Sequence, residues 1–436
     1  MSDDLSKTQA PHNEAATSKQ LNATGRRDFL KGGMAVGVGM LLAPMLAKES
    51  FAAAGTAPAA APAAAPAAAP AKPKLKMADV MKVAREKLYP LCRVCPECDG
   101  VACAGEVPGM GGIGSGQGFR NNYNEMAKIQ LHMRTFHEVK KPDMKFDLFG
   151  HTLDVPFFSA VTGGVTYNMG GKMSNAAYIN AIFGGCLDAG SIGMAADGIG
   201  DSLEVYQERL KILKEFGGKG LMSIKPKAQE EIIKRIRLIE EAGGLAFAVD
   251  VDSAGRAARA LPGQIVEPKT AKQLEELVKC TSLPFIVKGI MTVDEARIAV
   301  EVGAKGIVVS NHGGRVIDHT PASCTVLPAI ADAVKGKTMI LVDGAIRHGV
   351  DVLKMLALGA DAALIGRPLV RGAHGAGREG VALVMNALKD ELEVAMTLTG
   401  VKDVRTVSRS VLVDNTYGMP GALSENTQFE GTGWLA

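Results

Sequence analysis

Residues 305–315 read KGIVVSNHGGR, and residues 338–347 read TMILVDGAIR. Each opens on a short apolar, β-branched run that suits a fully buried strand and closes on a glycine turn carrying ionisable groups. The pattern repeats outward from these two. Toward the N-terminus, similar runs fall at 283–288 (LPFIVK), 244–251 (GLAFAVDV), 219–225 (KGLMSIK), 191–195 (SIGMA) and 155–161 (VPFFSAV). Toward the C-terminus one more falls at 361–365 (DAALI). Amphipathic stretches at 174–189, 229–242, 271–280, 293–302 and 350–358 separate them and read as helices. Eight strand–helix units predict an α/β fold, a closed (β/α)8 TIM barrel. An open doubly wound sheet is the alternative; no Gly-x-Gly-x-x-Gly turn follows the first strand, which counts against a dinucleotide-binding version of it.

Composition agrees. The 436 residues are 47% hydrophobic and 22% charged, as in a globular chain, and the 51 glycines suit many strand-to-helix turns. A net charge of +3, a single Trp and no basic stretch interleaved with aromatics argue against a nucleic-acid partner.

The N-terminal part reads differently. Gly25-Arg26-Arg27-Asp28-Phe29-Leu30-Lys31 precedes a Gly-rich apolar run from Gly32 to Ala47. At ~16 residues that run is short for a membrane span, which needs about 20. It resembles a twin-arginine export signal, which implies a periplasmic protein exported already folded; an uncleaved anchor helix is the alternative. Residues 52–72 then repeat Ala-Ala-Ala-Pro, an extended and semi-stiff spacer. The expected organisation is a signal region over 1–51, the spacer over 52–72, a Cys-containing N-terminal extension over 73–150 and the barrel over 151–436.

Barrel enzymes place their functional groups at the C-terminal ends of the strands. Here those ends carry Lys288, then Ser310-Asn311-His312-Gly313-Gly314-Arg315 with Asp318 beyond, then Asp343-Gly344-Ala345-Ile346-Arg347, then Gly366-Arg367-Pro368. A lone strand-end His is more often structural, but two glycines leave its ring accessible and an Arg follows three positions on. The last two turns together match the phosphate site that barrels build after strands seven and eight.

With its IVKGI, GIVVSNHGGRVID, LVDGAIRHGVDVLKMLALGA, LIGRP and TVSRS segments, the stretch from Pro284 to about Ser410 resembles the FMN-dependent L-2-hydroxy acid oxidases and dehydrogenases. That family includes glycolate oxidase, lactate oxidase and mandelate dehydrogenase. Weaker similarity runs back through VPFFSAVTGG to GSGQGFRNN. The resemblance implies FMN as cofactor and oxidation of a small lactate- or glycolate-like 2-hydroxy acid. It implies His312 as the base, Asp252 as the carboxylate orienting it, Arg315 on the substrate carboxylate, and Lys288 beside the flavin. It further implies flavin contacts from Val161, Thr162, Gly163, Ser223, Asp250 and Ser310, and a ribityl and phosphate site from Asp343, Gly344, Ala345, Ile346, Arg347, Gly366 and Arg367. A homo-oligomer is expected on the same ground. Rival readings are an oxidase delivering electrons to dioxygen, another FMN barrel such as an isomerase, and a non-catalytic redox sensor.

Three departures fall around the substrate. Met110–Gly114 lacks the Tyr that the family carries there; Lys225 replaces a second Tyr; and the segment between Asp252 and Pro268 is short, leaving Arg256 as the nearby candidate for a second carboxylate-binding Arg. Lys225 and Arg256 are therefore candidate substrate contacts.

Cys92-x-x-Cys95-x-x-Cys98 with Cys103 puts four thiols just ahead of the barrel. The first two gaps match ferredoxin-type iron–sulfur ligation. Zinc and, in an oxidising compartment, two disulfides are the other readings. An iron–sulfur centre predicts electron delivery to a respiratory acceptor such as a cytochrome or a quinone.

Overall fold

The computed structural model describes residues 74–254 and 266–413. Helices α1 (Met77–Leu88) and α2 (Gln117–Lys128) come first, followed by an antiparallel hairpin of β1 (Phe146–Leu148) and β2 (His151–Leu153). Then β3 (Phe157–Ser159), α3 (Val165–Asn168), α4 (Asn175–Asp188), β4 (Gly193–Ala196) and α5 (Leu203–Glu215) open the barrel. They are followed by β5 (Gly220–Ile224), α6 (Gln229–Glu241), β6 (Ala246–Asp250), α7 (Ala271–Lys279), β7 (Phe285–Ile290) and α8 (Val293–Glu301). The chain continues through β8 (Gly306–Val309), α9 (Ser323–Val334), β9 (Met339–Val342), α10 (Gly349–Ala357), β10 (Ala362–Ile365) and α11 (Arg367–Thr399). Helix α11 breaks at Ala376–Gly377, where Gly377 takes a φ of 58°.

Strands β3 to β10 form one parallel sheet in the order β3-β10-β9-β8-β7-β6-β5-β4. A parallel bridge between Thr162 and Ala195 joins the two outer strands, so the sheet is a nearly closed eight-stranded barrel. All eight strands lie on the runs read from the sequence, and the five helical stretches named there become α4, α6, α7, α8 and α10.

Two cores follow from the strand period of two. Phe158, Leu221, Ala246, Ala248, Ile286, Val308, Leu341 and Leu364 point into the barrel, where Phe146, Leu148 and Leu153 of the hairpin join them. Their neighbours Phe157, Met222, Phe247, Phe285, Ile307, Ile340 and Ile365 face outward into the helix layer. Continuing the inward register toward the C-terminal ends changes the chemistry. Leu221 leads to Ser223 and Lys225, Ala248 to Asp250, Ile286 to Lys288, Val308 to Ser310, and Leu341 to Asp343, all buried. One alternation thus yields a greasy barrel floor and an ionisable upper layer.

Candidate active site

Above that layer lies a cavity of about 520 Å³, walled by residues from the ends of β3, β4, β5, β7, β8, β9 and β10. His312 stands in its wall with a left-handed φ of 57°, a conformation costly for a residue with a Cβ. Its Nδ1 lies 3.0 and 3.1 Å from the two oxygens of Asp252, and its backbone N–H donates to Ser310 Oγ at 3.0 Å. Burial pulls the His312 pKa below its ordinary value, with Lys288 acting in the same sense and Asp252 opposing. The ring is therefore neutral near pH 7, with Asp252 positioned to accept the Nδ1 proton and leave Nε2 as the base. Burial works against the Asp252 carboxylate, but His312 and Lys288 outweigh it and hold it ionised below the usual range.

Lys288 is fully enclosed. Its Nζ donates to Ser310 Oγ at 3.2 Å and lies 3.9 Å from Asp250 and 3.7 Å from Asp343. Burial opposes its charge, yet Asp252, Asp343 and Asp250 more than offset that and raise its pKa. Lys225 also reaches the cavity wall, where Asp250 and Ser253 Oγ accept its hydrogen bonds. Lys225, Asp250 and Lys288 thus form a run of alternating charge across three strand ends, and Asp252 with the neutral His312 ring stands beside it. Ser223, Asp250 and Ser310 lie buried behind the lining rather than in it. Arg256 lies outside the described residues.

Arg315 lines the cavity, its guanidinium held by the 109–111 loop. Nη1 donates to Gly109 O at 2.6 Å and Gly111 O at 3.0 Å, and Nη2 to Asn168 Oδ1 at 3.1 Å. Asp318 ties the same N-terminal region down, accepting from the backbone N–H groups of Ser115 (2.5 Å) and Gly118 (3.1 Å).

The far end of the cavity is built for an anion. Arg347 and Arg367 converge there, with Arg367 over the Phe119 ring at 3.7 Å. Burial, with Arg347 alongside, pulls Arg367 down to about 10. Arg367 also opens α11, so the helix's positive end adds to the field. Gly344 and Ala345, both at positive φ, turn the backbone along the wall between Asp343 and Arg347. Asp343 Oδ1 and Arg347 Nε are buried without a hydrogen-bond partner. Buried polar atoms are rarely left so, and a phosphorylated polyol along the wall would satisfy both, a hydroxyl donating to Asp343 Oδ1 and an oxygen accepting from Arg347 Nε. These residues fit FMN.

The cysteine reading is corrected. Among the described residues, no group of three or more His, Cys, Asp or Glu side chains is placed to hold a metal ion. All seven cysteines carry free thiols. An iron–sulfur centre at Cys92, Cys95, Cys98 and Cys103 is thereby overturned, together with its zinc and disulfide alternatives. The physical reason lies in the arginines. Arg347 Nη2 donates to Cys98 O at 3.2 Å and Arg371 Nη1 to Cys95 O at 3.3 Å, wrapping the segment over the phosphate end. Cys92 is buried, its Sγ accepting from Val94 N at 3.4 Å, whereas Cys98 faces the arginines. Burial disfavours the Cys98 thiolate, but Arg347, Arg371 and Arg367 outweigh it and lower its pKa; Cys103 is pushed up to about 11 by burial. Spacing brought the thiols close in sequence, but their environments diverge.

Sequence reasoning missed Asn168, Arg371 and the buried Asp197. Asp197 has Arg235 Nε at 3.5 Å and Lys227 Nζ at 3.9 Å, while Lys227 donates to Gly198 O and Ile199 O and so pins the loop after β4. The glycine-rich run Gly163-Gly164-Val165-Thr166-Tyr167-Asn168 was the available signal for Asn168.

Comparison with known proteins agrees with this geometry. The FMN-dependent dehydrogenase family model matches residues 109–262 and 258–414. A peroxisomal (S)-2-hydroxy-acid oxidase of Oryza sativa subsp. japonica is 33% identical over 324 residues, 69% of this chain and 88% of that protein. A 2-hydroxyacid oxidase of Dictyostelium discoideum is 44% identical over 151 residues, 34% of this chain. A peroxisomal (S)-2-hydroxyacid oxidase of Arabidopsis thaliana is 49% identical over 139 residues, 32% of this chain. Those two alignments span only 39% and 38% of the relatives' own length. A crystal structure of mandelate oxidase superposes with a TM-score of 0.62 at 27% identity, covering 78% of this chain and 98% of that one. The expected periplasmic placement is overturned by the plant relatives, which are peroxisomal by name. The twin-arginine reading falls on residues 1–51, outside the described residues, and no comparison supports it. Among the described residues no helix is long and apolar enough to cross a membrane. From residue 109 to residue 414 the chain belongs to the FMN-dependent dehydrogenase family.

Proposed function

We propose that this protein oxidises a small 2-hydroxy acid to the corresponding 2-oxo acid, with FMN as resident cofactor and dioxygen as electron acceptor. The observation that carries the reading is His312, hydrogen-bonded to Asp252, in the wall of a cavity that Arg315 also lines. FMN, when bound, supplies the acceptor for the hydrogen and electron pair leaving the α-carbon. His312 Nε2 takes the proton of the substrate hydroxyl, and Asp252 stabilises the imidazolium that results. Arg315 pairs with the substrate carboxylate and orients the α-carbon. Lys225, in ion pair with Asp250, supplies a donor on the facing wall. Lys288 places a fixed positive charge where negative charge grows. Val161, Thr162 and Gly163 would hold the ring of FMN, and Asp343, Gly344, Ala345, Ile346, Arg347, Gly366 and Arg367 would hold its ribityl chain and phosphate.

The dioxygen assignment rests on the named relatives and mandelate oxidase, all oxidases by name. With the iron–sulfur reading overturned, nothing at Cys92, Cys95, Cys98 and Cys103 favours delivery to a cytochrome or quinone over dioxygen. The test is turnover of lactate, glycolate and mandelate in air. About one hydrogen peroxide per 2-oxo acid supports the oxidase reading; substrate-dependent bleaching under argon without peroxide in air leaves the oxidation and refutes the acceptor.

A further inference from the structure

Asn168 ends the four-residue helix α3 and is 8% exposed. Its carboxamide makes three bonds to three separate parts of the chain. Oδ1 accepts from Arg315 Nη2 at 3.1 Å and from the backbone N–H of Gly109 at 3.3 Å, while Nδ2 donates to Gly163 O at 3.3 Å. These partners settle which end of the amide is oxygen, because both donors face one atom and a carbonyl faces the other. Gly164 keeps the arrangement open: a Cβ there would sit 2.5 Å from Asn168 Nδ2.

The three partners are not equivalent. Arg315 is the guanidinium that the proposed function assigns to the substrate carboxylate. Gly109 belongs to the loop whose carbonyls, Gly109 O and Gly111 O, hold the other side of that guanidinium. Gly163 belongs to the turn after β3 that lines the cavity, where the proposed function puts the flavin. One side chain therefore joins the carboxylate-binding group, the loop that orients it and the turn that bears on the cofactor. A flexible Arg set by backbone carbonyls alone can rotate about its long stem; a third bond from a buried amide fixes its plane.

We propose that Asn168 is a positioning residue that sets the Arg315 guanidinium relative to the β3 turn, and so makes recognition of a free carboxylate, rather than of any 2-hydroxy carbonyl compound, the specificity rule of this site. The inference rests on Arg315 being the carboxylate partner. Asn168 acts through Arg315 and touches no reacting atom.

The experiment uses FMN-loaded full-length protein and two readouts. The first is binding of oxalate, a non-oxidisable dicarboxylate, followed by perturbation of the flavin spectrum. Asn168→Ala should weaken oxalate by about 10- to 100-fold, the usual scale for a hydrogen bond to a charged group, with FMN content unchanged. The second is the ratio of kcat/KM for lactate to that for lactamide. Asn168→Ala should collapse this ratio by a similar factor, mainly by raising KM for lactate. In an Arg315→Ala background the same substitution should cause little further loss, since two residues acting through one group are not additive. Asn168→Ser, which keeps a shorter acceptor, should fall between wild type and Asn168→Ala, and it serves as the test variant if the alanine protein does not fold. Equal losses for acid and amide, unchanged oxalate affinity, or full additivity with Arg315→Ala would each overturn the proposal. Wild-type protein that binds oxalate but is not reduced by any 2-hydroxy acid would instead refute the proposed oxidation and leave the oxalate comparison standing.

Discussion

His312 Nδ1 and the Asp252 carboxylate meet at 3.0 Å across sixty positions of sequence, joining the turn after β8 to the end of β6. Burial keeps the imidazole neutral while the carboxylate waits for its positive form. Replacing His312 by Ala should leave FMN in place and slow substrate-driven flavin reduction by ~10²–10⁴-fold, the range for a lost general base. Asp252→Asn should come close to that loss. Stopped-flow bleaching of both variants measures it, and near-wild-type rates in either would place the base elsewhere.

The same pair sets a pH dependence. A base must be unprotonated, and the His312 pKa lies below its ordinary 6.5. Flavin reduction should therefore rise with pH through a limb below 6.5 and stay flat across neutrality. A limb centred at or above 6.5 in the pH profile of kcat/KM would contradict the burial argument.

Lys288 sits among Asp250, Asp252 and Asp343, and is 2% exposed. Lys288→Met keeps the volume but leaves buried carboxylates without their counter-charge, which typically costs about 3–5 kcal/mol. A marked fall in Tm, larger than for Arg315→Lys, is expected by thermal melting of the FMN-free proteins. An unchanged Tm would mean that the carboxylates do not depend on Lys288 for their ionised state.

The phosphate end makes a separate prediction. Arg367→Ala removes the guanidinium lying on Phe119 and the donor to Met110 O (2.9 Å) and Gly313 O (3.1 Å). The purified variant should lose most of its yellow colour and regain it only at high added FMN. Retention of stoichiometric flavin through dialysis would show that the anion site lies elsewhere.

How much of this was legible beforehand depends on the kind of signal. The barrel was, because buried parallel strands are short continuous apolar runs, and eight of them recur between helices. Lys288, His312, Asp343 and Arg367 were, because they end those runs. The thiols at 92–103 misled: spacing says nothing of which way a Cβ points, and arginines 249 and 276 residues further along the chain bind the carbonyls of Cys98 and Cys95. The role of Asn168 was hidden for a related reason, although the Gly163-Gly164 pair marks the turn that carries it. Its helix is four residues long, with no periodicity to read, and its partner Arg315 is 147 positions away. The pairing of Lys225 with Asp250 was also hidden, since each residue alone looks like a ligand-facing charge.

In an FMN-bearing barrel, a neutral His312 is proposed to take the hydroxyl proton of a 2-hydroxy acid. The most direct test is anaerobic mixing of the FMN-loaded protein with lactate, glycolate or mandelate while the visible flavin bands are followed. Complete bleaching by at least one of them is expected, with one equivalent of 2-oxo acid formed, and bleaching slowed by ~10²-fold or more in His312→Ala. Flavin that stays oxidised with every 2-hydroxy acid, or bleaches equally fast without the imidazole, would contradict it.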